Sequence, residues 1–442
     1  MFRFIALLIV TIVIGACSRQ EPAETPAAAE RATTTTSAPA AAPDLPAPLA
    51  TPSAVRFSNV IGWPAGRMPA APAGFQVSLF ADGLANPRWL YVLPNGDVLV
   101  AESMTASIPN VSPDVEKGLR SSRTIGQSAN RITLLRDADG NGMPEVRNTF
   151  ISGLNQPFGM ALLSGTLYVA NTDALLRFPY KEGTTRIEAT GQRLLDLPAG
   201  GYNNHWTRNV VARPDGSKLY VSVGSATNVD EEGIDVKDER RAAIIEINPD
   251  GSGMRIFASG LRNPNGMDWE PMTGALWTAV NERDELGDDL VPDYITSVRD
   301  GGFYGWPYSY FGQHEDPRQS GKRPDLVAKA IVPDYPLGAH TASLGLLFYR
   351  GTAFPQAYRG GAFVAQRGSW NRSSLAGYRV VFVPFSGGRP SGPLQEFLTG
   401  FIANPEAATV YGRPVGLAML RDGSLLVADD AGGKIWRVSA SS

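Results

Sequence analysis

The sequence predicts an all-β fold, a six-bladed β-propeller preceded by a lipoprotein signal and a disordered tether. Two observations lead to this prediction. A pattern of strand, glycine-containing turn and strand recurs six times, and helical periodicity is weak along the whole chain. The 442 residues are enough for one large propeller. We expect the signal at 1–16, the tether at 17–55 and the propeller at 56–442.

The N-terminus reads MFRFIALLIVTIVIGACSRQ, with a basic Arg3, an apolar run and the only cysteine, Cys17. This order resembles a bacterial lipoprotein signal that is cleaved before a lipid-bearing Cys17. The apolar run is shorter than the roughly 20 residues that a spanning helix needs. A plain secretory signal and a short membrane anchor are the alternatives. Since Ser18 follows the cysteine, we expect the outer membrane, with the globular part facing the periplasm.

Residues 18 to 55 are dominated by Ala, Pro and Thr and contain almost no large apolar residues. Such a segment buries too little surface to offset the entropy of ordering it. The sequence therefore predicts a flexible, partly extended tether.

The six repeats share a polar start, an apolar strand, a turn with glycine and a second apolar strand. They are spaced roughly 50 to 80 residues apart, as expected for blades of a propeller. The repeats occupy Gly83–Ser103, Gly153–Thr172, Asn203–Ser225, Gly260–Glu282, Ala342–Gly368 and Gly412–Asp430. A generic β-sandwich is the alternative, but it does not require six related hairpins.

A propeller brings the starts of its innermost strands around one axial channel. We therefore expect polar residues that are distant in sequence to converge there. The starts of the repeats contain Gln156, His205, Arg262, Asn263 and Arg413.

The formal net charge of −3 supplies no basic footprint, which argues against nucleic-acid binding. The sequence shows no unit of strand, glycine-rich loop and helix of the kind that binds a nicotinamide cofactor.

The segments HWTRNVVARPDG, GLRNPNGMDW and GGFYGWP, together with the repeats, resemble the soluble glucose/sorbosone dehydrogenases. The resemblance covers roughly residues 70 to 440 and is greatest to the L-sorbosone dehydrogenase branch. It implies a six-bladed propeller that uses pyrroloquinoline quinone (PQQ) and Ca²⁺ to oxidise a sugar or an aldehyde. It also implies an electron acceptor, such as a quinone or a cytochrome, which the sequence does not identify.

The resemblance implies a definite set of site residues. His205 corresponds to the family's catalytic base, and Arg262 to a residue that stabilises charge at the quinone. The implied contacts with the cofactor are Gln156, Arg262, Asn263, Arg367 and Arg413, with Arg372 competing with Arg367. The segment 281–294 corresponds to the loop whose carbonyls hold calcium, and Arg283 and Asp284 are the nearest equivalents.

These residue types suit the implied chemistry. Neutral imidazole can remove a hydroxyl proton while hydride leaves the same carbon. Ca²⁺ acts as a Lewis acid on a quinone oxygen, and the arginine fork matches the three carboxylates of PQQ.

Two positions depart from the family's glucose enzymes. Asn204 replaces an aspartate that precedes the catalytic histidine, and Ser225 stands where a carboxylate orients the imidazole. We therefore expect a water or a carbonyl to orient His205 instead.

Other polar residues allow two interpretations. His340 precedes a repeat strand and is a candidate for substrate contact, whereas His314 lies in a polar loop and is expected to face solvent. The DADGNG segment, with Asp137 and Asp139, has the opening spacing of a calcium loop but is more typical of a hairpin turn. The acidic ERDELGDD segment suits Ca²⁺ or a solvated loop.

Two other functions remain open from the sequence. A non-enzymatic propeller that binds sugar or protein would not need His205 together with several inward arginines. A calcium-dependent propeller lactonase would bring carboxylates to the axis.

Overall fold

The computed structural model describes residues 44–200 and 203–441, and within them the protein is built mainly of strands. Cys17, the signal and most of the predicted tether lie outside the described residues, and so does Tyr202. Among the helices of the described residues, none is long and apolar enough to cross a membrane.

Six sheets of four or five strands follow one another along the chain. Within each sheet the four main strands pair antiparallel. Sheet 1 contains Pro87–Val92, Val98–Glu102, Arg131–Arg136 and Val146–Ile151; sheet 2 contains Met160–Leu163, Thr166–Ala170, Ala174–Pro179 and Gln192–Asp196; sheet 3 contains Arg208–Ala212, Leu219–Val223, Ala243–Ile247, Arg255–Ser259 and the parallel Gly302–Phe303. Sheet 4 contains Asn263–Trp269, Leu276–Asn281, Pro292–Ser297 and Tyr335–Ala339; sheet 5 contains Ser343–Phe348, Ala362–Gln366, Arg379–Val383 and Gln395–Leu398; sheet 6 contains Pro414–Met419, Leu425–Asp429, Lys434–Ala440 and Phe75–Ala81.

The first strands of neighbouring sheets contact one another in sequence order, and those of sheets 6 and 1 also meet, so the order is closed. Sheet 6 takes its outermost strand, Phe75–Ala81, from the N-terminal side of the other strands. This pairing joins the first strand of the six sheets along the chain to the last one, Lys434–Ala440. Each of the six sequence repeats supplies the first two strands of one sheet, as the hairpin pattern predicts.

Hydrophobic clusters fill the spaces between neighbouring sheets. Between sheets 5 and 6 the fully buried Phe363 and Phe382 pack with Trp436. Close approach of the first strands depends on glycine at two clear places. A Cβ on Gly345 would collide with the carbonyl of Val415, and a Cβ on Gly416 would lie 2.7 Å from the carbonyl of Arg88. Glycine therefore lets the sheets approach closely around the centre.

Short elements decorate the sheets. The helices in the described part are α1 (Pro113–Ser121) and α2 (Pro324–Val327), with single 3₁₀ turns at Asp235–Lys237 and Gln356–Tyr358. The minor strands are Asn59–Val60, Ile402–Asn404, Thr409–Val410, Ser309–Tyr310, His314–Glu315, Phe385–Ser386 and Arg389–Pro390. Ser112 caps α1 by accepting from the Val115 amide, and Pro113 suits the first turn. Along the chain, helix α1 falls between the second and third strands of sheet 1.

The end of the predicted tether contacts the rest of the structure. The amide of Leu49 donates to the carbonyl of Leu286, and Leu45 packs against the cluster between sheets 3 and 4. The Thr51 hydroxyl accepts from the Asp288 amide at 2.9 Å. The segment from 44 to 55 is therefore partly held by the sheets, and the boundary at 55 stays a prediction from composition.

Candidate active site

A cavity of about 270 Å³ lies where the first strands of several sheets begin and their second strands end. Its polar wall combines residues from sheets 1, 3, 4, 5 and 6. These residues include Arg88, His205, Arg262, Asn263, Glu282, Asp284, Asp293, His340, Arg367 and Arg413. The fold thus brings together polar residues that are up to 325 positions apart in the sequence.

His205 lies three residues before sheet 3 and is held by hydrogen bonds to its ring and its backbone. Its Nδ1 lies 2.8 Å from the Ser225 carbonyl and 3.0 Å from the Ser225 hydroxyl. The hydroxyl itself donates to the Thr227 carbonyl. The buried Arg208 donates to the His205 carbonyl at 2.6 Å. A carbonyl only accepts, so it selects the tautomer with the proton on Nδ1 and leaves the lone pair on Nε2.

The surroundings favour neutral imidazole. Burial, reinforced by the positive charge of Arg262, lowers the pKa of His205 to about 3. The Ser225 carbonyl and Asp284 act in the opposite direction but do not offset burial. His205 is therefore unprotonated near neutral pH, which is the form that a general base needs.

Arg262 is fully buried at the start of sheet 4. Its Nη2 lies 3.0 Å from Asp284 Oδ2 and 2.9 Å from Asn228 Oδ1, and its Nη1 donates to the Glu282 carbonyl. Although burial alone would raise it, the pKa of Asp284 is lowered by His340 and Arg262. Next to Arg262, Asn263 has a buried Oδ1 without a hydrogen-bond partner among the described residues.

Glu282 and Asp293 add two more carboxyl groups to this part of the wall. Burial raises the pKa of Glu282 to about 7 and that of Asp293 to about 6. Glu282 Oε2 accepts from the Arg283 amide, while the described residues supply no partner for Glu282 Oε1. This region therefore offers buried oxygen atoms with unused acceptor capacity.

Three arginines share one carboxylate on another part of the wall. Asp430 accepts from Arg88 at 2.5 Å, from Arg367 at 2.7 Å and from Arg413 at 2.9 Å. Although burial alone would raise it, these arginines hold the pKa of Asp430 far below its usual range. The cluster is therefore an ionised aspartate surrounded by guanidinium groups.

An apolar rim borders the cavity. Met104, Val115 and Leu119 reach it from the α1 region, and Phe57 and Trp370 complete it. The rings of Phe57 and Trp370 stack at a centroid distance of 5.8 Å. The rim continues into the arginine cluster, since Thr124 Oγ1 accepts from Arg413 at 3.2 Å.

Comparison with known proteins identifies the family. A sequence profile described as "Glucose / Sorbosone dehydrogenase" matches residues 164–376, and one described as "TrAA12-like" matches residues 318–441. An uncharacterised protein of Borreliella burgdorferi is 31% identical over 302 residues, which cover 66% of this chain and 77% of that protein. The chain belongs to the glucose/sorbosone dehydrogenase family.

Curated relatives of known name are more distant. The "Pyrroloquinoline quinone-dependent pyranose dehydrogenase" of Coprinopsis cinerea is 26% identical over 436 residues, covering 84% of this chain and 54% of that protein. The "Pyrroloquinoline quinone-dependent sugar dehydrogenase" of Hypocrea jecorina is 23% identical and is covered over 57% of its length. The chain thus spans little more than half the length of these two relatives.

Solved structures share the fold. The holo form of the pyranose dehydrogenase PQQ domain from Coprinopsis cinerea has a TM-score of 0.66 at 22% identity, covering 87% of this chain and all of that one. The calcium structure of the Trichoderma reesei family AA12 enzyme has a TM-score of 0.68 at 20% identity, covering 89% of this chain and all of that one. At these identities the likeness concerns the fold, which is the propeller of those enzymes.

Most positions expected from the family resemblance line the cavity, but three side chains do not. Gln156 has a positive φ of 48°, and its side-chain amide donates to the Met104 carbonyl. Arg283 is buried against Asp316, at 2.7 Å. Arg372 donates to the carbonyl of Asp288 and to the carboxylate of Asp289. Of the two competing arginines, the structure therefore places Arg367 on the cavity.

The backbone carbonyl predicted to bind calcium at Asp284 already accepts hydrogen bonds. The carbonyl of Asp284 already accepts from Asn228 at 3.1 Å and from the Arg283 side chain at 2.6 Å. The Asp284 carboxylate lines the cavity but is engaged by Arg262 and His340. The neighbouring Glu282 has the freer oxygen atom.

The two remaining histidines differ in exposure, and a substrate contact of His340 stays a prediction. His340 lines the cavity and contacts Asp284 at 3.4 Å and the Gly287 carbonyl at 2.8 Å. His314 is exposed and stacks on Tyr310.

The DADGNG segment joins the third and fourth strands of sheet 1, as the hairpin interpretation predicts. The Asp137 carboxylate accepts from the Gly140 and Gly142 amides in this turn. Within residues 44–200 and 203–441, Asp137, Asp139 and Glu145 are the one group of at least three metal-ligating side chains spaced closely enough to share an ion. They are separate from the cavity.

The sequence reasoning missed Arg88 and Asp430. Arg88 stands at the start of the first repeat, in NPRW, where other repeats supplied polar candidates. Arg88 follows the proline of its repeat, whereas Gln156, Asn263 and Arg413 precede theirs, so repeat comparison alone would not have singled it out. Asp430 ends the last repeat, and only the fold reveals that three arginines meet there.

Proposed function

We propose that this protein is a PQQ- and calcium-dependent dehydrogenase that oxidises a sugar or an aldehyde, with His205 as the general base. The observation that carries the proposal is the shared cavity of His205 and an arginine cluster. The imidazole keeps its Nε2 lone pair, while the cluster has more positive than negative charge.

The residues of the cavity fit an anionic quinone. Arg367 and Arg413 line the cavity and offer planar guanidinium groups to carboxylates. Arg262, fixed by Asp284 and Asn228, provides a buried positive charge for an oxygen that becomes negative. The side chains of Gln156 and Arg283 do not line the cavity, so Gln156 is not assigned a contact with the cofactor and Arg283 is considered only for its backbone carbonyl.

We propose that a calcium ion binds beside this group, with Glu282 as the candidate side-chain ligand. Oxygen atoms are the ligands that Ca²⁺ prefers, and Glu282 Oε1 has no competing partner in the described structure. A bound quinone would supply an electron-poor carbon able to accept hydride, and a calcium ion would strengthen that character as a Lewis acid.

The protein's own part in the reaction is proton transfer and positioning. The Ser225 carbonyl holds the Nδ1–H of His205, so Nε2 accepts the substrate's hydroxyl proton. The imidazolium formed in this step is stabilised by the same carbonyl and by the charge of Asp284. Arg208 fixes the backbone that bears the base.

The substrate class rests on the family and its named relatives. The curated relatives of Coprinopsis cinerea and Hypocrea jecorina are named as pyranose and sugar dehydrogenases. We propose an aldose, sorbosone or a related aldehyde, with electrons passing on to a quinone, a cytochrome or a dye.

Two structural expectations belong to this proposal. We propose that the six sheets are the six blades of one propeller, supported by the closed order of their first strands. We also propose that Cys17 carries lipid and that the tether at 17–55 links the propeller to the outer membrane on its periplasmic side. Replacing Cys17 by alanine should release the protein from the membrane fraction and abolish its labelling with a fatty acid.

A calcium-dependent hydrolase is the second candidate, because Glu282, Asp284 and Asp293 also line the cavity. One assay separates the two functions. The purified protein with PQQ and Ca²⁺ is tested for dye reduction with aldoses, sorbosone and simple aldehydes, and for lactone hydrolysis with Ca²⁺ alone. The proposal expects dye reduction that requires PQQ, and His205→Gln should lower kcat by about 10²–10⁴. Hydrolysis without PQQ, or no PQQ binding, would overturn it.

A further inference from the structure

The arginine cluster around Asp430 contains more positive charge than its anchor can neutralise. Oδ2 of Asp430 accepts from Arg88 and Arg367, and Oδ1 accepts from Arg413. All three arginines line the cavity, and Asp430 is 1% exposed. One carboxylate therefore faces three guanidinium groups, which leaves an excess of two positive charges.

Among the described residues no second carboxylate accepts from these three guanidinium groups, since the adjacent Asp429 accepts from the Arg413 backbone amide and from Trp63. Arg413 also donates one hydrogen bond each to the Thr124 hydroxyl and the Arg123 carbonyl, both uncharged. Arg367 has only a long contact of 3.4 Å to the same hydroxyl. Buried charges without a counter-ion are costly, so such a cluster is expected to take up an anion.

Arg88 is the least satisfied member. It is 6% exposed, and its buried Nε has no hydrogen-bond acceptor among the described residues. Its guanidinium lies 5.3 Å from the ring of Trp206 and 5.8 Å from that of Phe158. Burial and the nearby Arg367 lower the pKa of Arg88 to about 9, so it remains charged at neutral pH.

We propose that Arg88 is a third anion-binding arginine of the cavity, and that Asp430 organises Arg88, Arg367 and Arg413 into one site for a planar carboxylate ligand. The inference rests on the proposed function, in which that ligand is PQQ. It assigns Arg88 and Asp430, which the family resemblance did not indicate.

The arrangement explains why an acidic residue lies in a site for anions. Asp430 uses both oxygen atoms to orient the guanidinium groups, so their other N–H groups are available to a ligand. Aromatic rings and buried strands restrict Arg88, so little side-chain entropy is lost when an anion binds. A charge-assisted hydrogen bond from such a group contributes about tenfold to a hundredfold to affinity.

Binding to the full-length apo protein tests the proposal without relying on turnover. Calorimetry would measure the Kd for PQQ and for a pyridine dicarboxylate, and thermal unfolding would measure the stabilisation that each ligand produces. Arg88→Gln should weaken both ligands by about tenfold to a hundredfold. Arg88→Lys keeps the charge but not the fork, so its loss should be smaller.

Arg136→Gln is the matched control, because Arg136 pairs with Asp97 in the same sheet but does not line the cavity. This control should bind both ligands as the wild type does. If folded Arg88→Gln and Arg88→Lys bind both ligands with wild-type affinity, the proposal is wrong.

The outcome for PQQ separates this proposal from the proposed function. If the wild type binds the dicarboxylate in an Arg88-dependent way but does not bind PQQ, the anion site stands and the dehydrogenase proposal falls. If PQQ binds tightly and Arg88 makes no difference, the opposite conclusion follows.

Discussion

The Nδ1 atom of His205 lies 2.8 Å from the backbone carbonyl of Ser225. The candidate base is therefore oriented by the main chain, at a position where the family's glucose enzymes place a carboxylate. The Ser225 amide in turn donates to the Arg262 carbonyl, which ties this contact to the start of sheet 4. A carbonyl selects the tautomer as a carboxylate does, but it adds no full negative charge beside the imidazole.

Ser225→Ala is expected to retain most of the activity, because the carbonyl that orients His205 remains. The lost hydroxyl contact at 3.0 Å is the weaker partner, so kcat should fall less than about tenfold. His205→Gln, in contrast, should lose about 10²–10⁴ in kcat. Equal losses in the two variants, measured at saturating PQQ and Ca²⁺, would show that the hydroxyl is the essential partner.

The protonation of His205 gives a second prediction. Its pKa in the folded protein is lowered to about 3, whereas an unfolded histidine titrates near 6.5. The unfolded state therefore binds more protons between these values, so His205 makes the protein less stable as the pH falls below about 6.5. His205→Gln should lose less stability than the wild type between pH 7 and pH 4, as measured by urea unfolding. A nitrogen-15 chemical shift that titrates near pH 6.5 in the folded protein would contradict this prediction.

Arg367 and Arg372 should differ in cofactor binding. Arg367 lines the cavity, and Arg372 is occupied by Asp288 and Asp289 outside it. Arg367→Gln should raise the Kd for PQQ by about tenfold or more, whereas Arg372→Gln should leave it nearly unchanged. Fluorescence titration of the apo variants measures both values. The reverse order would mean that the loop carrying Arg372 rearranges when the cofactor binds.

Asp284→Asn should destabilise the folded protein. The change removes the charge that pairs with the fully buried Arg262 at 3.0 Å, and an uncompensated buried charge costs about 3 kcal/mol. Asp289→Asn is the control, since Asp289 is exposed and its pair with Arg372 is worth about 0–1 kcal/mol. Similar unfolding free energies for the two variants would show that Arg262 finds another partner.

The contact between Gly118 and Phe57 should couple helix α1 to the segment before the sheets. A Cβ at Gly118 would collide with the Phe57 ring, so Gly118→Ala should cost about 1–3 kcal/mol through overpacking. Combining it with Phe57→Ala should recover part of that cost, because the obstructing ring is gone. Additive losses in the double-mutant cycle would mean that α1 adjusts independently of Phe57.

The local sequence pattern was enough to predict the first two strands of each sheet and to place candidate site residues at the starts of these strands. Period-two alternation and glycine turns located the first two strands of every sheet, since hairpins depend on local geometry. The same repeats placed His205, Arg262 and Arg413 at strand starts, and all three line the cavity. The resemblance to the dehydrogenase family supplied the chemistry that periodicity alone does not contain.

Only the tertiary structure decided which polar groups meet. Asp430 gathers Arg88 from the first sheet and Arg413 from the last, because sheet 6 packs against sheet 1 when the ring closes. Gln156 does not line the cavity and donates its side-chain amide to the Met104 carbonyl, a contact that its sequence position does not reveal.

The sequence by itself determined the recurring pattern of strand, turn and strand and the presence of histidine and arginine at the strand starts, because both depend on local residue order. The orientation of His205 by the Ser225 carbonyl depends on how the two ends of one hairpin meet, and the sharing of Asp430 by three arginines depends on packing between sheets. The contact between Arg88 and Asp430 joins residues 342 positions apart, and no local pattern encodes their distance.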